Sequence, residues 1–247
     1  MGGLGTGASF KANVEALKRI RLNMRLIHDV TDPDTSVSLL GLNLSMPVLA
    51  APIGGVSFNM GGAVSEEEYI HAVVFGCREE GIIGCTGDGV PDFIHETGLS
   101  AVQAAGGHGI PFIKPWADRE LFEKMEKVRQ SGAGIMGMDI DAAGLITLRR
   151  MGRPVGPKTL DQLKSIIDKS PGRFILKGIL TVSDAELAVR AGAHGIVVSN
   201  HGGRVLEDAV GAAEVLSDIR DAVKGRITIL VDRSEEHTSE LQSRQSI

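Results

Sequence analysis

Aromatic residues are scarce in this chain, at 4% of 247 residues with a single Trp and a single Tyr. Glycine is plentiful instead, with 32 copies, which suits many tight turns and close approach of the backbone to a ligand. Cysteine is nearly absent. Cys77 and Cys85 have no metal-like spacing and no neighbouring His, so they read as buried free thiols in a reducing compartment, and a disulfide framework is excluded. No apolar run approaches the ~20 residues of a membrane-spanning helix, and no signal peptide opens the chain. The cytoplasm is the expected location. Positive charge is not in excess, and a formal net charge of -5 argues against a nucleic-acid or polyanion surface. The histidines lack HxxxH and HExxH spacing, so no metal site is expected.

What is present is alternation of short apolar runs with amphipathic segments, the pattern of parallel strands joined by crossover helices. Strands are expected at 46–52, 82–86, 111–116, 134–141, 173–179, 194–200 and 227–232. Helices are expected at 66–81, where Ser65 can cap, and at 93–105, 119–132, 160–169, 184–192 and 212–224. A Gly/Pro-rich excursion occupies 144–157, and an amphipathic helix over 10–24 precedes the first strand. The length fits one α/β barrel. Seven strands are found and no eighth, so the expected fold is an incomplete TIM-type barrel forming one domain over 1–232.

The densest cluster of chemistry is Val198-Ser199-Asn200-His201-Gly202-Gly203-Arg204, which follows Lys177-Gly178-Ile179 by one helix and one strand. Gly195 to Val198 is short and apolar, as buried parallel strands are, and the polar residues begin where that strand leaves the sheet. In a barrel this carboxyl end is where chemistry sits. Arg204 offers a planar fork that matches a carboxylate, His201 titrates near neutrality, and Gly202-Gly203 let the backbone pass close to a flat ligand. The set reads as an active site.

These residues carry a resemblance. FILKGI at 174–179 and GIVVSNHGGR at 195–204 are similar to the signature of the FMN-dependent 2-hydroxy-acid oxidases and dehydrogenases, the glycolate oxidase and lactate oxidase group. Weaker likeness runs through Asp29-Val30, Asp34-Thr35-Ser36-Val37, Leu40-Gly41, Met46-Pro47 and Ala51-Pro52, so the resemblance covers nearly all of the chain up to Asp232. It implies a (β/α)8 barrel, FMN as cofactor and oxidation of a small lactate- or glycolate-like L-2-hydroxy acid to the 2-oxo acid. The electron acceptor is not specified, and a homo-oligomer is allowed for the full-length form. The resemblance makes Arg204 the carboxylate clamp and His201 the base, taking the hydroxyl proton or, in a carbanion variant, the proton on the 2-carbon. Asp141 would hold His201, and Lys177 would face the reduced flavin. Ala51-Pro52-Ile53, Ser199, Gly202 and Asp232 would complete the flavin site.

The chain departs from the family pattern in three places. Phe112-Ile113-Lys114 stands where Gln-x-Tyr is usual, so Lys114 replaces a substrate-contacting hydroxyl and could pair with a second carboxylate or a phosphate, or else face solvent at the rim. Cys85-Thr86-Gly87-Asp88 replaces a Thr/Ser-rich flavin contact, and Asp139 stands at a family Thr. Two other readings remain beside hydroxy-acid oxidation: another FMN-barrel oxidoreductase or isomerase, and an inactive fragment. The second is prompted by RSEEHTSELQS at 233–243, which reads as a translated sequencing adapter where the family would continue Asp-Gly-Gly-x-Arg. Residues 233–247 are expected to be a non-native disordered tail. A chain without the eighth strand is expected to hold FMN weakly.

Overall fold

The computed structural model describes residues 3–59, 61–153 and 155–232. The expected tail at 233–247 lies outside them. A helix α1 (Ala8–Lys18) leads into an extended stretch and a small antiparallel hairpin, β1 (Val37–Leu39) and β2 (Leu42–Leu44). Seven parallel strands follow in spatial order equal to chain order: β3 (Leu49–Ile53), β4 (Ile83–Thr86), β5 (Ile110–Ile113), β6 (Ile135–Asp139), β7 (Arg173–Ile179), β8 (Gly195–Val198) and β9 (Thr228–Val231). Among the described residues β3 and β9 are not paired, so the curled sheet is an incomplete α/β barrel.

The helices are α2 (Val56–Asn59), α3 (Glu66–Glu79), α4 (Phe93–Ala104), α5 (Asp118–Gln130), α6 (Ile146–Arg150), α7 (Leu160–Asp168), α8 (Val182–Ala191) and α9 (Ala212–Val223). Their starts follow local chemistry. Ser65 accepts from Glu68 N while Glu68 reaches back to Ser65 N, and Thr159 with Gln162 repeats this reciprocal cap. The outer core between helices and sheet is continuous, from Val74 and Val102 through Leu121, Met138 and Leu176 to Ile219. Buried area of this kind is the main favourable term, at ~25 cal/mol per Å².

The inner face of the sheet has its own core, because alternate strand residues point inward. Ile83, Cys85, Ile110, Phe112, Ile135, Ile175 and Val197 meet there, and Leu40 and Leu44 from the hairpin close them off from below. Gly137 is part of this fit: any side chain at that position would strike the Phe112 ring. Cys77 and Cys85 are buried and free, as expected.

Three local expectations are corrected. The first helix ends at Lys18, because beyond it the apolar residues Ile20, Leu22, Met24 and Leu26 repeat every second residue, a strand-like period no helix can use. All four are exposed. The hairpin at 37–44 was not anticipated. The excursion at 144–157 contains α6 and is strapped to the turn after β5: Val155 bridges Trp116, Gly156 N donates to Pro115 O at 3.2 Å, and Lys158 Nζ donates to Trp116 O at 2.7 Å.

Candidate active site

Strand register brings the charged residues into one layer. Phe112 pairs with Gly137 and Ile113 with Met138, so Lys114 emerges beside Asp139; Asp139 pairs with Lys177. Farther round, Val198 pairs with Val231, which puts Ser199 and Asp232 at the same level. Each inward position one pleat below is apolar or glycine. The carboxyl end of the sheet therefore carries a ring of Lys114, Asp139, Lys177, Ser199 and Asp232 above an oily floor.

Lys177 is the centre of this ring. Its side chain is 2% exposed, and its Nζ lies 3.1 Å from Asp139 Oδ1 and 3.5 Å from Asp232 Oδ2. Lys114 Nζ approaches the other Asp139 oxygen at 3.9 Å. Burial opposes ionisation of Asp139, but Lys177, His201 and Lys114 together outweigh it and hold its carboxyl at about 2. Lys114 is buried, not a solvent-facing rim residue.

His201 sits in a short 3-10 turn (His201–Gly203) just after β8, with a positive φ of 55°. A left-handed conformation at a non-glycine residue costs on the order of 1 kcal/mol and has to be over-determined by its surroundings. Here His201 N donates to Ser199 Oγ at 3.1 Å, and Nδ1 lies 3.1 Å from both Asp141 oxygens. A carboxylate only accepts, so Nδ1 carries the proton and Nε2 keeps its lone pair. Burial, then the Lys177 charge, hold the imidazole below its ordinary value, and the Asp141 hydrogen bond pulls the other way. The imidazole is therefore neutral at neutral pH.

Asp141 was expected at a strand end and instead lies in the 3-10 turn Ile140–Gly144 after β6. It fits because Gly178, at φ 100°, has no Cβ: one built there would lie 2.5 Å from the Asp141 side chain. The Lys177/Ile179 register shift is the associated bulge. Ser199 and Gly202 are buried, Ala51, Pro52 and Ile53 are half-buried on β3, and Arg204 is exposed at the end of the His201–Gly203 turn. Asp139, Asp141 and His201 hold ligand atoms within 4.8 Å of one another, a spacing that could take a metal ion; Lys177 and Lys114 already supply positive charge at Asp139.

Two sets of supporting residues escaped sequence reasoning. Asn13 of α1 and Asn200 exchange side-chain amide hydrogen bonds at 2.9 and 3.0 Å, Asn13 Oδ1 also accepts from Ala212 N, and Ser9 Oγ accepts from Ala209 N at 2.6 Å. Gly203 makes this docking possible, since a Cβ on it would lie 2.6 Å from Phe10 N. Thus α1 buttresses the His201 turn. The second set is centred on Asp88, expected near the flavin but fully buried as an acceptor for Gly89 N, Lys114 N, Trp116 Nε1 and Lys124 Nζ at 2.6–3.0 Å. Only the pairing of an acidic residue with a strand-end glycine hinted at it.

Comparison with known proteins gives a consistent result. A family model described as FMN-dependent dehydrogenase matches residues 1–156 and 150–234. The chain is 31% identical to 4-hydroxymandelate oxidase of Amycolatopsis orientalis, over 94% of this chain and 72% of the relative. It is 28% identical to L-lactate dehydrogenase of Alcaligenes faecalis, over 94% and 74%. Among solved structures it is similar to mandelate oxidase with (S)-4-hydroxymandelic acid, at TM-score 0.76 and 27% identity over 94% of this chain and 72% of that one. A mandelate oxidase variant with a C4a-OH-FMN adduct gives TM-score 0.72 at 29% identity, over 94% and 71%.

Proposed function

The chain belongs to the FMN-dependent dehydrogenase family, and on that premise we propose that its ring of strand-end residues oxidises a lactate- or glycolate-like L-2-hydroxy acid to the 2-oxo acid. FMN is the cofactor, and the residues present fit it. The Asp232 carboxylate is buried with no hydrogen bond of its own, Lys177 brings a buried cation to the ring, and Gly87 lies so close to Ile53 that a Cβ would be 2.8 Å from its backbone. Ala51, Pro52, Ile53, Lys177, Ser199, Gly202 and Asp232 would hold the cofactor. Bound FMN supplies the two-electron oxidant.

The observation that carries the reading is His201 Nδ1 at 3.1 Å from both Asp141 oxygens, beside buried Lys177. With Nδ1 committed to Asp141, Nε2 takes a proton from the substrate, and Asp141 stabilises the imidazolium that forms. Arg204, exposed at the mouth, clamps the substrate carboxylate with its planar fork and so sets the 2-carbon in place. FMN, when bound, would take up the two electrons and the second hydrogen that leave as the 2-hydroxyl carbon becomes a carbonyl.

We assign residues 1–232 to this single unit and, with two free buried cysteines in support, the cytoplasm as its compartment. No helix among the described residues is long and apolar enough to cross a membrane. Mixing the FMN-loaded protein anaerobically with L-lactate or glycolate tests the activity. Loss of the oxidised-flavin absorbance is expected; an unchanged spectrum with every L-2-hydroxy acid tried would reject it.

A further inference from the structure

We infer that Lys114 receives a second carboxylate on the substrate, so that the preferred L-2-hydroxy acid of this chain is a dicarboxylate. This rests on the hydroxy-acid reading above and adds the chemistry of the substrate's far end.

The two lysines of the rim are not equally satisfied. Lys177 has carboxylates at 3.1 and 3.5 Å, whereas Lys114 has only Asp139 Oδ2, at 3.9 Å, beyond hydrogen-bond length. An ammonium carries three donors, and among the described residues no protein acceptor takes a hydrogen bond from Lys114 Nζ. The side chain is nonetheless nine-tenths buried. With its stem buried and its three donors not taken by hydrogen bonds from the described residues, the ammonium is placed to meet an acceptor brought by a ligand.

The position is also rigid. Lys114 N donates to Asp88, and that carboxylate is tied at the same time to Gly89 N, Trp116 Nε1 and Lys124 Nζ. Lys124 and Arg153 lie on the Trp116 ring at 5.6 and 5.0 Å from its centroid, which pins the support from both of its neighbours. The backbone that carries Lys114 is therefore fixed, which leaves only its side-chain rotamers to be ordered on binding.

Asp139 links Lys114 to the base, since its carboxylate touches Lys114 on one side and is grouped with Asp141 and His201 on the other. A substrate whose 2-hydroxyl meets His201 therefore has Lys114 within reach of its far end. The neighbouring carboxylates of Asp139 and Asp141 favour a monoanionic, planar group there over a phosphate dianion, which would meet like charge. A carboxylate fits.

The test compares L-malate and L-2-hydroxyglutarate with L-lactate as reductants of the FMN-loaded protein, in the wild type, Lys114→Met and Lys114→Arg. One charge-assisted hydrogen bond corresponds to ~10- to 100-fold in affinity. The wild type is expected to prefer the diacids, and Lys114→Met to lower the diacid-to-lactate ratio of kcat/KM ~10- to 100-fold, mainly through KM, with partial rescue by Lys114→Arg. Calorimetric titration with 2-oxoglutarate and pyruvate reads the same preference without turnover, and Lys114→Gln serves if the Met variant fails to fold. If lactate reduces the flavin and the ratio is the same in wild type and variant, this inference falls while the hydroxy-acid reading stands. If no hydroxy acid reduces it, both fall.

Discussion

The inside of the sheet holds two opposite environments one pleat apart on the same strands. Phe112 is followed inward by Lys114, Gly137 by Asp139, Ile175 by Lys177, Val197 by Ser199 and Leu230 by Asp232. The lower residues are packed against one another and plugged by the hairpin, so they gain from leaving water. The upper ones are four ions and a hydroxyl that lose hydration on burial and recover it only from each other and from a ligand. The backbone alternation that sends both kinds inward is the same; only the availability of a ligand differs. The floor is built for stability, and the rim spends stability on chemistry.

The sharpest way to break this comparison is to alter the rim at one atom without disturbing the floor. His201→Gln removes the base but keeps a polar side chain against Asp141. We expect flavin reduction by the substrate to slow ~10²- to 10⁴-fold, with flavin binding and melting temperature close to those of the wild type. Near-normal reduction would take His201 out of the mechanism.

The next pair sets rim against floor directly. Phe112→Ala leaves a cavity over Gly137 and should cost ~3–5 kcal/mol of stability, nearly independent of pH. Lys177→Met should cost a similar ~3–5 kcal/mol at neutral pH, because Asp139 and Asp232 lose their shared ammonium. Their pH dependence separates them. In the wild type Asp139 is held at about 2, below its unfolded value, so the stability it contributes is present above that unfolded value and lost as pH falls through about 2. Without Lys177 its folded value rises, and protonation then relieves the variant as pH falls. Denaturant melts at neutral and acidic pH should show the Lys177→Met deficit shrinking and the Phe112→Ala deficit constant. Parallel behaviour of the two would mean that the rim charges do not matter energetically.

How far these residues were legible in the sequence follows the same division. The seven strands, their helices and the proximity of His201 and Asp141 could be read, because buried strands end abruptly in polar residues and a resemblance grouped them. The hairpin could not: its strands are three residues long, and its turn places Leu40 as well as Gly41 at positive φ, a role leucine does not advertise. Asn13 could not be read either, since its partner Asn200 is 187 positions away and only folding brings them together. Asp139 was visible merely as a departure at one strand end. Its meaning as the carboxylate between two lysines needed the register of β5, β6 and β7.

The smallest effect is the most specific, because it concerns the balance at His201 rather than the presence of the base. Burial and Lys177 lower the imidazole while Asp141 raises it, and the net direction is downward from an ordinary histidine. A base works in its neutral form, so the acid limb of kcat/KM in the free enzyme should lie below 6.5. Asp141→Asn removes the one raising influence that also positions the ring, and the imidazole must then fall further. The acid limb moves to lower pH, while the plateau drops ~10- to 100-fold as the charge-assisted hydrogen bond to the imidazolium is lost. A wider active range at a lower rate is an unusual signature, since a merely structural lesion lowers the plateau and leaves the limb where it was. Stopped-flow reduction by L-lactate across acidic pH distinguishes the two, and a limb that stays put or moves upward would remove Asp141 from the electrostatics of the site.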